Sequence, residues 1–442
     1  MNVLLVSQAY PPYPIVGAQR AKRVAEMLRS RGHRVFVVTE RLSGEGDGLR
    51  VKESDCQVHT VPLKAKYRLR VVGAIRKFRR DSARGARGES EVAVAPPSGR
   101  PEHKAGLLRR AVLSFLWLPD DELRFVLPAL KVSRRLMREH RIDLVYTTSP
   151  PHSSHLIGLR LRSSADVRWV AEFRDPWTDQ RTPNRVDHWF GPAEAIHRWL
   201  ELRCLRAADH IVTVTESTRA LLASRVVREN GEKVILALNG IVERQPRTTV
   251  PLPAPFRIVH AGTFYLDRDP RPFLHALAAT RRSRKIGPAD IQVDFVGRCR
   301  SFGGISVEAE VEALGLSDIV HFHDWMEPAK AQAIIGTADL LLLLACSQPL
   351  QVPNKLFDYL GSGVPVLAIV DSGGESERML SSVGGQFVVP VVQGEKVSEQ
   401  AIQEALAAAI DARHEVPDTN EKLLQEWSSA VQMERLATAI GA

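Results

Sequence analysis

Five consecutive leucines occupy positions 340–344, bounded by Ala338-Asp339 before and Ala345-Cys346 after. The run is far too short to cross a bilayer, and it does not alternate with polar residues as a strand with one wet face would. It reads as a strand covered on both faces, which belongs to a parallel sheet flanked by helices. A loop over 346–352 leads through Pro353 and Asn354 into a helix predicted at 355–360. Gly361 and Gly363 end that helix before a second apolar strand at 365–370. Ligands of such sheets sit beyond the carboxyl ends of the strands. Lys355 and Asp358, three apart near the amino end of the helix, share a face there. A cation beside free N–H groups and the helix dipole suits phosphate, while a carboxylate one turn on suits a sugar hydroxyl.

The rest of the chain repeats this alternation in two series. In the first, strands are predicted at 3–6, 35–39, 58–61, 143–147, 169–173 and 211–215, with helices at 18–31, 129–141, 152–162, 193–208 and 217–224. Asn239-Gly240 closes that series, and the proline-rich stretch 245–255 reads as a linker. The second has strands at 258–261, 293–296, 319–322, 340–344, 366–369 and 387–389, separated by helices, and an amphipathic helix over 427–440 ends the chain. Strands alternating with helices give doubly wound sheets. At 442 residues the chain exceeds what one core serves. The expectation is two similar domains, residues 1–245 and 246–426, with a site in the cleft between them and a terminal helix, 427–442, packing back toward the first.

Two stretches break the pattern. Residues 79–104 are too polar to form a core and read as an inserted loop. Residues 105–118 follow with apolar side chains at helical spacing, next to Lys64, Lys66, Arg68, Arg70, Arg76, Lys77, Arg79 and Arg80. This segment reads either as a surface helix docking on an anionic membrane or as a cover over the cleft with a solvated charged face.

The net charge of +9 and pI near 9.5 suit a phosphate-bearing partner or an anionic surface. No aromatic-studded basic stripe marks nucleic-acid binding. The four cysteines are far apart, without metal-ligand spacing, and read as reduced thiols of a cytoplasmic protein. The first residues, MNVLLVSQAYPP, lack the pattern of a signal peptide.

Four stretches carry a family resemblance: LLVSQAYPPYPIVGAQRAKRVAEMLRSRGHRVFVVT; DLVYTTSPPHSSHLIGLRLR followed by VAEFRDPW; HAGTFYLDRDPRPFLHALA; and VPNKLFDYLGSGVPVLAI. Together, from Val3 to Ile440, they resemble glycosyltransferase family 4, a retaining family. The resemblance implies an α/β chain of the GT-B fold, two Rossmann-like doubly wound parallel-sheet domains facing across a cleft. It implies a nucleotide-diphosphate-sugar donor on the second domain and an acceptor, a saccharide or lipid-linked saccharide, on the first. No cofactor and no metal is expected, because cations and helix amino termini stabilise the leaving diphosphate.

The resemblance also assigns residues. The second Glu of the family's Glu-x7-Glu signature maps onto Asp358 as ribose ligand, while the first falls on Leu350. Arg268 takes the place of a phosphate-binding Lys, after Gly262 and a Thr263 that stands where Arg is usual. Lys355 has catalytic and donor-binding roles, and Asn354 lies beside it on the donor side. Arg174-Asp175 replace the His near the transferred sugar and are the other catalytic candidates. Gly17, followed by Ala18 where the family commonly has a second Gly, offers its backbone to donor phosphate or sugar. Arg20, Ser149 and His152 are acceptor-side candidates.

The expected function is retaining transfer of a sugar to a hydroxyl acceptor in cell-surface polysaccharide biosynthesis, in the cytoplasm or on the inner face of the membrane. The alternatives are glycosylation of a small natural product, a nucleotide-sugar epimerase or hydrolase, or a donor-binding protein with impaired catalysis.

Overall fold

A computed structural model describes residues 1–13, 15–41, 49–50, 56–63, 118–120, 122–179, 191–226, 231–244, 255–265, 268–415 and 418–442. The stretch expected as an insertion (79–104), the basic residues Lys64 to Arg80, the body of the 105–118 helix and the linker at 245–254 lie outside them.

Strands β1 (Asn2–Val6), β2 (Arg34–Glu40), β3 (Leu49–Arg50), β4 (Gln57–Val61), β5 (Leu144–Ser149), β6 (Arg168–Phe173), β7 (His210–Thr213) and β8 (Val234–Leu236) form one sheet in the order β3-β4-β2-β1-β5-β6-β7-β8. All pairings are parallel except β3 with β4. Val3 and Leu5 of β1 are buried on one face with Val24 and Leu28 of the helix Val16–Ser30. Leu4 and Val6 are buried on the other with Phe125 and Ile157 from the helices Leu123–Glu139 and Ser154–Arg162.

The second sheet contains β9 (Phe256–Ala261), β10 (Ile291–Val296), β13 (Val320–His323), β14 (Leu340–Ala345), β15 (Val366–Asp371) and β16 (Phe387–Val391). Its order is β13-β10-β9-β14-β15-β16, and every pair is parallel. A small hairpin, β11 (Ser301–Phe302) with β12 (Ile305–Ser306), stands apart. The leucine run is β14. Leu340, Leu342 and Leu344 face the core under the helices Arg271–Arg284 and Glu399–Asp411, and Leu341 and Leu343 face the core under Asn354–Ser362 and Glu375–Val383. Each buried leucine contributes about 1.5–3 kcal/mol of apolar burial, so a run with both faces covered fixes the sheet as the middle layer.

Among the parallel strands of each sheet the chain order reverses once, between β1 and β5 and between β9 and β14. The helix after β9 goes to one face and the helix after β14 to the other, leaving a crevice at the strand ends. The helix after β14 runs through Gly361 to Ser362 and stops at Gly363, whose φ of 69° is the left-handed cap that glycine adopts freely.

The helix expected at 427–440 is present as Ser429–Ala439, and a further short helix precedes it. The short helix, Glu421–Glu426, puts Leu424 into the second domain's core, and Ser429–Ala439 starts where the Ser428 side chain accepts from Val431 N–H. The junction between the two is bonded to Ile241, whose N–H donates to Trp427 and whose carbonyl accepts from Ser429. Met433, Leu436, Ala437 and Ile440 are buried with Val3 and Leu5 of the first domain. Two crossings of the chain, near 241 and 428, therefore run side by side between the domains. Among the described residues no helix is long and apolar enough to cross a membrane.

Candidate active site

The crevice between β9 and β14 gathers Arg268, Lys355, Asn354 and Asp358. The helix Asn354–Ser362 starts at Pro353 with no side chain capping its first N–H groups and no acid in its first turn. Lys355 sits in that turn, where the dipole disfavours a cation. Its Nζ lies 3.4 Å from His260 Nε2 on β9 and directly over Gly262, where a Cβ atom would come within 1.8 Å of it. Burial, and then the nearby Arg268 charge, lower the Lys355 ammonium to about 7. Arg268 lies over the Tyr265 ring, with a buried Nε that has no hydrogen-bond partner among the described residues.

Asp358, one turn beyond Lys355, is raised by burial, against which Arg23, the Asn354 side chain and Lys355 act in that order. Arg23 comes from the first domain, on the helix Val16–Ser30. Burial lowers it to about 10, while Asp358 pulls the other way. The buried Oδ1 of Asn354 has no partner among the described residues. Arg23 and Lys355 thus act on one carboxylate, with Arg268 near Lys355, a cluster that is net positive and so suits an anion rich in oxygens.

The first-domain candidates separate. Arg20 is fully buried: Nε donates to Glu172 at 3.0 Å, and its two other nitrogens donate to the carbonyls of Leu238 and Ala237 at 2.7 and 2.9 Å. Its geometry is that of a core ion pair, with every nitrogen already used, and not of an acceptor ligand. His152 is fully buried and stacks on Trp177 at 5.2 Å between ring centroids, so it too is closed to an acceptor. The Ser149 hydroxyl, also buried, donates to the Glu172 carbonyl. These three polar residues sit beside glycine and proline loops in the sequence, but their side chains turn inward under the sheet ends.

Gly17 needs correcting for a different reason. The space left by its missing side chain is filled by Arg174, whose Nη1 would lie 2.5 Å from a Cβ there, so the glycine makes room for that guanidinium. Arg174 itself turns back to donate to the carbonyls of Ser149 and Pro150. Burial lowers its pKa, opposed by Glu172 and then Asp175. Asp175 turns the other way and accepts from Gln351 of the second domain at 2.7 Å.

Other polar contacts join the domains nearby. Thr215 donates to the Leu350 carbonyl at 2.8 Å, so the position of the signature's first Glu acts here through its backbone. The Glu375 carboxylate accepts from the N–H groups of Glu216 and Ser217, at the amino end of the first-domain helix Glu216–Arg225. Beside these contacts opens a cavity of about 910 Å³ at the ends of β14 to β16. It is lined by Ser347 to Gln351, Asp371 and Phe302, and by Pro176 and Asp179 across the cleft. Asp269 and Gln351 put it next to Arg268 and Asn354, although the cation cluster itself does not line it.

Sequence reasoning missed His260 and Arg23. His260 stands in the quoted HAGTF stretch, but only the pairing of β9 with β14 shows what it meets.

Residues 82–244 match the family model described as Glycosyltransferase Family 4. No curated protein matches. Sucrose-phosphate synthase from Thermosynechococcus elongatus superposes with a TM-score of 0.63 at 14% identity, covering 100% of this chain and 98% of that one. Anabaena Alr3699/HepE, solved with UDP-glucose, gives 0.59 at 12%, covering 100% and 99%. WaaG, a glycosyltransferase involved in lipopolysaccharide biosynthesis, gives 0.53 at 15%, covering 98% and 94%. The fold is GT-B, as the sequence resemblance implied.

Proposed function

We propose that this chain, GT-B in fold and matched to the Glycosyltransferase Family 4 model over residues 82–244, is a glycosyltransferase that moves a sugar from a nucleoside-diphosphate sugar to a saccharide hydroxyl with retention of configuration. The observation that carries the reading is the cation cluster at the β9–β14 switch, with Lys355, Arg268 and the uncapped helix start beside a single carboxylate. Lys355, Arg268 and the helix N–H groups hold the diphosphate, while Asp358 and Asn354 take the ribose hydroxyls. The structures of Alr3699/HepE with UDP and with UDP-glucose support a nucleotide-sugar donor.

In the proposed reaction the bond from the anomeric carbon to the phosphate oxygen breaks, and its electron pair passes to the diphosphate. The acceptor oxygen forms its bond on the same face, and its proton goes to the departing phosphate oxygen. Lys355 and Arg268 hold the charge that develops, so no metal enters the proposal. Asp175 and Gln351 border the sugar side of the cleft. Arg174 acts by holding the loop at Ser149 and Pro150 in place. Closure of the domains excludes water, which would otherwise take the sugar.

The proposed setting is cell-surface polysaccharide assembly with a lipid-linked acceptor at an anionic membrane. The role of WaaG in lipopolysaccharide biosynthesis and the charge of +9 support that setting. The test is release of nucleoside diphosphate from a panel of nucleotide-sugars, with and without a crude lipid-saccharide fraction. Acceptor-dependent release supports the reading. Release to water alone points to a hydrolase, and binding without release to a protein that keeps only the donor site.

A further inference from the structure

The side chain of Lys355 makes one hydrogen bond among the described residues, to His260. His260 is fully buried on β9, its ring 4.8 Å from that of Phe264 and edge-on to Phe295. Its Nδ1 lies 2.9 Å from the carbonyl oxygen of Leu342 on the neighbouring strand. A carbonyl can only accept, so Nδ1 carries the ring proton and Nε2 presents a lone pair. Lys355 is then the donor, and two of its three N–H groups remain free.

We propose that His260 is a positioning residue for the donor: its Nε2 lone pair aims the Lys355 ammonium across Gly262 toward the crevice where the diphosphate binds. The inference rests on the reading of Lys355 as a diphosphate ligand.

The chemistry explains why an imidazole stands there. A carboxylate at this place would neutralise the ammonium and compete with phosphate, and an apolar side chain would leave a buried cation unheld. A neutral imidazole holds the ammonium and leaves its charge available. The other groups facing Lys355 do not replace it. Arg268 repels it, and Asp358 lies on its own helix, shared with Arg23 and Asn354. Cys299 donates its thiol to the Gly262 carbonyl at 3.3 Å, and burial pushes that thiol up to about 12, so it is neutral. His260 is itself held well below its ordinary range, by burial first and by Lys355 second, and so stays neutral. Gly262 completes the arrangement, because with a φ of 149° and no side chain it leaves the ammonium room.

The test uses the full chain and whichever of UDP, GDP, ADP and dTDP raises its melting temperature most. That diphosphate is titrated calorimetrically into wild type, His260→Asn, His260→Gln, Lys355→Met and the His260→Asn/Lys355→Met double variant. Asn can still donate to the Leu342 carbonyl but is too short to reach Lys355, whereas the Gln amide oxygen can stand where Nε2 was. Losing a hydrogen bond to a charged group corresponds to roughly a tenfold or greater weakening, expected for His260→Asn alone. His260→Gln keeps most of the affinity, and His260→Asn adds nothing once Lys355 is Met. The fall in affinity with rising pH also begins at lower pH in His260→Asn than in wild type, a shift that a merely structural role would not produce.

Wild-type affinity in His260→Asn, or an equal loss from it in the Lys355→Met background, overturns the inference. Wild-type affinity in Lys355→Met overturns the diphosphate reading and takes this inference with it. A readout without substitution is the nitrogen NMR spectrum of labelled histidine in the wild-type protein. A neutral Nδ1–H tautomer whose Nε2 shifts on adding the diphosphate supports the assignment, and an imidazolium at neutral pH overturns it.

Discussion

Lys355 is a cation placed where burial, Arg268 and the helix dipole all work against its charge, and that conflict has a measurable sign. Its pKa in the folded chain is about 7, against about 10.4 for a lysine in an unfolded one. Between those values the unfolded chain binds more protons, so this residue makes the protein more stable as pH rises from 7 toward 10. Lys355→Met should therefore melt higher than wild type at pH 7 and lose that part of the rise, while binding nucleoside diphosphate at least tenfold more weakly. Melting curves across pH, with a calorimetric titration at each, check both. A lower melting temperature together with unchanged affinity would contradict the account. Lys355 and Asp358 were legible in the sequence because helix spacing puts them on one face beyond a strand end, and Arg268 was named through the family resemblance. His260 was not, since a histidine in an apolar strand reads as core until the register with β14 is known. Arg20 and His152 were misread because sequence places them beside the cleft without showing which way a helix or loop turns its side chains.

At the scale of elements, the leucine run was enough to place a parallel sheet, and the alternation in each half was enough for its helices. What escaped were pieces of two or three residues, β3, β8 and the β11–β12 hairpin, too short to show a period. The six-residue helix Glu421–Glu426 escaped as well, and its junction with the terminal helix is bonded to Ile241, far away in the chain. The buried pair of Arg20 and Glu172 ties the helix Val16–Ser30 to β6 and to the carbonyls of residues 237 and 238. Burial raises the Glu172 carboxyl, but Arg20, the Thr148 hydroxyl and Arg174 outweigh it and hold its pKa below the ordinary value. Removing one partner leaves a buried charge, so Arg20→Met should cost about 3–5 kcal/mol of stability. Urea unfolding followed by fluorescence measures this. An unchanged midpoint would show that the pair is dispensable, and an intact fold without acceptor turnover would return Arg20 to the acceptor site.

At the scale of the whole molecule, the domains are joined by two chain crossings and by the polar contacts of Asp175, Leu350 and Glu375 at the cleft. The Glu375 carboxylate sits on the amino end of a helix from the other domain, a favourable place for negative charge. Glu375→Ala should loosen the cleft, seen as a larger radius of gyration by X-ray scattering without nucleotide and a smaller one when donor closes the domains. Identical scattering from both proteins would show that the contact does not hold the cleft.

The central claim is that one crevice, between β9 and β14, takes the charge of a departing diphosphate. A crystal structure with nucleoside diphosphate bound tests it most directly. The account predicts phosphate oxygens within hydrogen-bonding distance of Lys355 Nζ and the Arg268 guanidinium, with the ribose against Asp358. Phosphates bound elsewhere, with Lys355 still turned to His260 alone, would contradict it.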